Sequence, residues 1–353
     1  MSTAADQLLD LLPASPDAYP QNLDLVRNAV LVIRLDAAAY RAASFLDDRI
    51  LGPGTRGGWL PGGAVTAAAR AVAAPRPLHF IFHSGHVGST LLSRLLDETG
   101  LVLGLREPLP LRALADAHDV LPMPESLLGP GQFAALLDAM LRLWSRGYDA
   151  TRAVVVKATS TAGRIAIPLL EASASSRAVY LNVPAEPYLA TLLGGANSLV
   201  DLRGHAPGRM RRLCVRLSAP PAPLHAMSPG ELAALGWLAE TLSQREALAR
   251  FPDRVLALDF EALLADIRSV LDRVLAHFGL DPPPGFLEGI ATSAVLRRYS
   301  KSPELAYAPG EREAGLAESR QRNRGEIARG LAWLERLART EPRVATLLAA
   351  HPA

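Results

Sequence analysis

The residues with the clearest chemical meaning are His83-Ser84-Gly85-His86-Val87-Gly88-Ser89-Thr90. They separate the apolar run Leu78–Phe82 from a segment that carries Leu91, Leu92, Leu95 and Leu96 at helical spacing. A buried strand that turns through glycines into a helix aims several backbone N–H groups at one point, and the helix dipole adds partial positive charge there. Gly85 and Gly88 let the backbone approach an anion with no Cβ in the way, and Ser89 and Thr90 add hydroxyl donors. Such a loop suits a phosphate- or sulfate-like group; the alternative is a plain tight turn. The nucleotide-hydrolysing version needs a lysine directly after the last glycine, and a Ser or Thr on magnesium. Here Ser89 follows Gly88.

The basic residues are almost all arginine, and the only lysines are Lys157 and Lys301. Lys157 ends the β-branched run Ala153–Val156, which places it at the sheet edge where ligands bind in parallel-sheet folds. Glu107 follows Leu101–Leu105 on the same edge, as a candidate base or as a structural partner of an arginine. His86 is a candidate base or anion ligand, whereas His79 and His83 read as packing residues. Asn182 stands near the end of Ala178–Val183, and Asp259 ends Arg254–Asp259 but reads as a helix start. No strand therefore ends in an obvious magnesium-holding aspartate. The segment from Arg297 to Arg324, with Arg298, Lys301, Arg312 and Arg320, reads as an anion clamp or as a solvated surface. Asp201–Gly204 and Arg209–Arg212 read as an acceptor lid or as surface charge.

These side chains need a scaffold that brings strand ends together. Strands alternating with helices from Leu78 onward predict a P-loop-type, three-layer α/β fold with a central parallel sheet of about five strands. Residues 1–75 read as an N-terminal extension that packs on the domain formed by residues 76–353, with the boundary at Pro75-Arg76-Pro77. In the extension, Ala29–Leu35 is a predicted strand, Gly52–Gly63 a connection and Ala64–Ala74 a helix. Ser228-Pro229-Gly230-Glu231 is a capping box that opens a helix. Ala262–Phe278 and Glu326–Leu337 are predicted as single helices.

Composition narrows the function classes. The formal net charge of +2 over 353 residues, with no block of like charge, argues against nucleic acid as a partner. One cysteine, Cys214, leaves no disulfide framework and no cysteine-based metal site. Met1–Asp17 does not read as a signal peptide, and no apolar run approaches the ~20 residues that span a bilayer. The expectation is a cytoplasmic protein with no membrane partner and no metal; a homodimer is compatible.

Leu78–Leu92, LHFIFHSGHVGSTLL, resembles the 5′-phosphosulfate loop of sulfotransferases, which use 3′-phosphoadenosine 5′-phosphosulfate (PAPS). The family's basic residue, serine, glycine and hydroxyl pair fall on His86, Val87, Gly88, Ser89 and Thr90. Val155-Val156-Lys157 is similar to the lysine-ended strand of the bacterial and tyrosylprotein-type branches, and Arg254–Phe278 to the family's late strand, acidic turn and helix. The resemblance covers most of residues 78–280. It implies transfer of a sulfuryl group from PAPS to a hydroxyl acceptor without a metal. Lys157 would act on the bridging oxygen or the sulfuryl group, and Glu107 or His86 as base. Gly85, His86, Val87, Gly88, Ser89 and Thr90 would hold the 5′ end of the donor. Asn182 and Thr191 stand where the family carries an arginine and a serine for the 3′-phosphate, so Arg297, Arg298 and Lys301 become the substitute clamp. The substitutions at His86 and Asn182 keep a second reading open, a non-catalytic or divergent protein that binds a phosphorylated ligand. An ATP-dependent kinase is the third.

Overall fold

The computed structural model describes residues 3–195, 198–218, 221–308 and 310–350. After the helix Ala4–Leu11, β1 (Ala18–Asp24), β2 (Ala29–Arg34) and β3 (Gly57–Pro61) form an antiparallel sheet in that order. Next come β4 (Leu78–His83), β5 (Val102–Arg106), β6 (Ala153–Lys157), β7 (Ala178–Asn182) and β8 (Val255–Asp259), which form one parallel sheet in the order β5-β6-β4-β7-β8. A small hairpin of β9 (Arg298–Tyr299) and β10 (Ser302–Ala306) stands apart from both sheets.

This is the three-layer P-loop-type α/β architecture, and burial explains it. The strands β4 to β7 are buried along their whole length, as runs covered on both faces must be. Successive side chains then serve opposite layers. Ile81 packs with Leu92, Leu189, Leu235 and Leu271 on one face. Phe80 and Phe82 pack with Leu111, Met140 and Leu169 on the other, together with Tyr19 and Val32 of the first sheet. The chain leaves β4 towards β5 on one side and later crosses from β6 to β7 on the other. Such a reversal opens a crevice at the C-terminal ends of the strands, where ligands bind.

The first sheet is tied to this core by a buried guanidinium. Arg146, 5% exposed, donates to the carbonyls of Leu12, Leu143, Ser15 (2.6 Å) and Ala18 (2.9 Å). Burial pushes its pKa down to about 10, which leaves it charged at neutral pH.

Several elements depart from the sequence-based expectation. The connection expected over 52–63 contains β3, whose paired backbone needs no apolar side chain at Gly57 or Gly58. The helix expected over 262–278 is two helices, Phe260–Ala265 and Ile267–Phe278, because Asp266 leaves helical geometry and its carboxylate caps Ser269. Residues 198–214 form a helix in spite of the internal Pro207. The capping box at Ser228 does open a helix, Pro229–Arg250.

Replacing Arg146 with alanine strands several inward-facing carbonyls. Arg146→Ala is expected to lower stability by about 2–4 kcal/mol, read as a lower denaturant midpoint with an unchanged slope.

Candidate active site

The loop after β4 runs through three left-handed residues, with φ of 115° at Gly85, 54° at His86 and 72° at Gly88. At Gly88 a Cβ would meet the Phe260 ring rather than an approaching anion. The glycine is thus required by packing and by its φ, not by clearance for the ligand. The helix Ser89–Asp97 begins here, and no side chain caps its first N–H groups. Among the described residues, the buried hydroxyls of Ser84, Thr90, Ser93 and Thr159 have no hydrogen-bond partner. The uncapped helix start, with its free backbone N–H groups and positive dipole end, suits an anion. Val87 is fully buried in the core and contributes only its backbone.

Lys157 and Glu107 meet beside the loop. In the parallel register Lys157 of β6 lies opposite Arg106 of β5 and Ile81 of β4. The Glu107 N–H donates to the Lys157 carbonyl at 2.7 Å, and the Lys157 ammonium contacts the Glu107 carboxylate directly. Glu107 has φ 54° immediately before Pro108, a conformation disfavoured for a non-glycine residue and doubly so ahead of proline. Strain of this kind, about 1–3 kcal/mol, collects at functional sites. Burial pushes the Lys157 ammonium below its ordinary range, and the Glu107 carboxylate pulls it part of the way back.

Two residues of the N-terminal extension line the same place. The Phe45 ring lies 5.5 Å from the Lys157 Nζ, and the Arg49 guanidinium stacks on that ring at 3.6 Å. Arg49 is itself held by Asp47. Nothing in the sequence marks Phe45, because it lies in a loop far from the anion-binding motif.

The second lysine also arrives here. Lys301, in the turn between β9 and β10, is held below its ordinary range by burial and then by Lys157, with Glu107 acting in the opposite sense. His86 is pushed down to about 4 by burial, by Lys301 and by Lys157, in that order. The residue remains exposed, so solvent screens part of the burial effect, and the two ammonium groups fix the direction. His83 is buried, with Nε2 2.9 Å from the Ala158 carbonyl, and burial keeps it neutral. His79 stacks flat on Phe278 at 4.7 Å and accepts from the Arg177 N–H.

Other candidates lie elsewhere. Asn182 is 1% exposed; its Nδ2 donates to Thr241 and Gln244, and its Oδ1 accepts from Val183. That side chain is used up inside the core. Thr191 donates back to the Pro187 carbonyl at 2.7 Å. Arg297 and Arg298 are exposed and bond the carbonyls of Thr292 and Pro303 in their own segment. Asp259 caps the helix Phe260–Ala265 by accepting from Ala262. Asp201 lies on the helix Ser198–Cys214 and acts on the Lys301 charge. Lower on that helix, Arg209 and Arg212 pair with the fully buried Glu240.

A cavity of about 360 Å³ opens beyond Phe260, lined by Pro184, Glu186, Glu261, Arg312, Leu316 and Arg320. Arg312 lies over the Phe260 ring at 4.8 Å and pairs with Glu261, while Arg320 pairs with Glu186. A second cavity, of about 120 Å³, lies along β5 near Tyr40, Asp97 and Tyr148 and includes no residue of the loop. Among the described residues no helix is long and apolar enough to cross a membrane.

Neither a family model nor a curated protein matches the chain. Solved structures do overlap with it in part. A sulfotransferase domain from the curacin biosynthetic pathway is 14% identical over 71% of this chain and 98% of its own, with a TM-score of 0.40. Sulfotransferase STF9 from Mycobacterium avium is 12% identical over 91% and 97%, also at 0.40. Mouse sulfotransferase SULT7A1, complexed with PAP, is 11% identical over 80% and 92%, at 0.39. Overlaps this partial assign no chemistry, which has to come from the site itself.

The depressed His86 gives a pH test. An anion bound beside it offsets the ammonium charges and raises its pKa, so binding takes up a proton and affinity grows as pH falls below neutrality. Sulfate, whose own charge is constant over this range, should bind more tightly at pH 5 than at pH 7. By calorimetry His86→Asn should show a flatter dependence; an identical slope in both proteins would remove His86 from the site.

Proposed function

We propose that the protein is a sulfotransferase that moves a sulfuryl group from PAPS to a hydroxyl acceptor. The observation that carries the reading is the placement of Lys157 against Glu107, beside an uncapped loop helix with unpartnered buried hydroxyls. Sulfuryl transfer needs a base for the acceptor proton and positive charge where negative charge develops, and this edge of the sheet offers both. When bound, the donor would supply the sulfuryl group through its phosphosulfate ester.

The chain's own residues divide the remaining work. The backbone N–H groups of Gly85–Thr90 and the hydroxyls of Ser84, Ser89 and Thr90 would hold the 5′ end. Arg312 and Arg320 would hold the second phosphate in the cavity beyond Phe260, in place of Asn182, Thr191, Arg297 and Arg298. Glu107 would accept the acceptor's hydroxyl proton, and Lys157 would follow the charge that develops on the bridging oxygen. A compact ammonium suits one oxygen, whereas a guanidinium grips two.

Binding without transfer is the second reading. It is favoured by the absence of a cationic side chain within residues 83–90. The two separate in one series of measurements. For the sulfotransferase, 3′,5′-ADP should bind more tightly than AMP, and chelation of divalent metals should not alter that binding. Equal affinity for the two nucleotides would defeat the PAPS reading. Lys157→Arg should keep most of the nucleotide affinity, yet slow single-turnover transfer by about 10²-fold, the scale of an electrostatic catalytic group. Transfer at the wild-type rate in that variant would refute the role given to Lys157.

A further inference from the structure

The loop carries no positive side chain of its own at neutral pH. Its histidines are His83, buried against the Ala158 carbonyl, and His86, depressed to about 4. Lys157 is already in contact with Glu107, and Arg49 with Asp47. Lys301 is different: it makes no ion pair and no hydrogen bond among the described residues, although it is only partly exposed. The charges that act on its ammonium are those of Lys157, Glu107, Arg49 and Asp201, and it is the leading charge acting on His86.

Its position is built rather than incidental. The Arg94 Nε, on the helix that follows the loop, donates to the Ser300 carbonyl at 2.8 Å, one residue before Lys301. The Arg94 Nη2 donates to the Ser44 Oγ at 2.8 Å. One guanidinium thus pins both the β9–β10 turn and the N-terminal extension onto the loop helix. A half-buried ammonium held near a second ammonium, with no carboxylate of its own, is costly unless an anion joins it.

We propose that Lys301, delivered by the β9–β10 hairpin, is the cation of the loop's anion site, supplying from a distant segment the charge that the loop lacks at His86. It therefore binds the 5′ phosphoryl or phosphosulfate end of the donor, not the second phosphate. The nucleotide part of this assignment rests on the sulfotransferase reading; the anion site itself does not.

The test uses inorganic phosphate as the first probe, by calorimetry on the full chain. Lys301→Gln should weaken phosphate about 10-fold, the value of one hydrogen bond to a charged group. It should melt no lower than the wild type in phosphate-free buffer, since it removes an unpaired charge. Adding His86→Lys to Lys301→Gln should recover most of the lost affinity, because the new ammonium stands within the loop. As second probes, 5′-AMP should weaken in Lys301→Gln, whereas adenosine 3′-monophosphate should not. Unchanged phosphate affinity in Lys301→Gln, no recovery in the double variant, or loss confined to the 3′-monophosphate would each overturn the assignment. If phosphate behaves as expected while 3′,5′-ADP and AMP bind equally, the sulfotransferase reading falls and the role of Lys301 stands.

Discussion

Much of this structure follows from holding positive charge at one edge of a buried sheet. Lys157 is almost wholly out of water, and a buried ammonium without a partner would sooner lose its proton than its hydration. Contact with Glu107 favours its charged form, and that contact requires β5 and β6 to end in step and Glu107 to turn into a left-handed conformation. A slip of one residue in either strand would point one member of the pair into the other layer. The two strands are apolar runs buried along their whole length, which fixes the register that the pair depends on.

The division of labour between the two basic residue types follows from their shapes. Arg94, Arg106 and Arg146 each bind carbonyls of segments distant in sequence: Arg94 those of Ser300 and Arg41, Arg106 those of Tyr40 and Ala43, Arg146 those of the first strand and its approach. A planar fork with five donors can satisfy several inward-facing oxygens at once. Neither lysine is used that way. Lys157 instead meets a single carboxylate, that of Glu107, in a chain whose other basic residues, Lys301 apart, are all arginine.

How much of this was legible beforehand depended on the range of the signal. The five parallel strands were readable because each is a short, mainly apolar run between helical segments, and the loop because glycines and hydroxyls follow β4 directly. β3 was not, since its pairing rests on backbone alone at Gly57 and Gly58. Asn182 looked like a ligand at a strand end, but Thr241 and Gln244 reach it from another helix, a tertiary contact that no local pattern encodes. Adjacency in sequence groups Arg297, Arg298 and Lys301 as one clamp. Lys301 lies in the tight turn after β9 and is half-buried there, whereas Arg297 and Arg298 are exposed. Phe45 is the clearest case of a site residue that only the folded chain reveals.

The clasp formed by Arg94 has a consequence for how the chain matures. Its two clients, Ser44 and Ser300, come from opposite ends of the sequence, so the contact that joins them through the loop helix has a very long sequence separation. Such contacts form late, because the entropy of closing the intervening chain is spent before they return anything. During synthesis the first sheet and β4 to β6 are made well before residue 300, and domains begin to fold from the leading end. A nascent chain would therefore hold the loop, Lys157 and Glu107 in place before Arg94 has its Ser300 partner. The hairpin that carries Lys301 would be the last part of this region to dock.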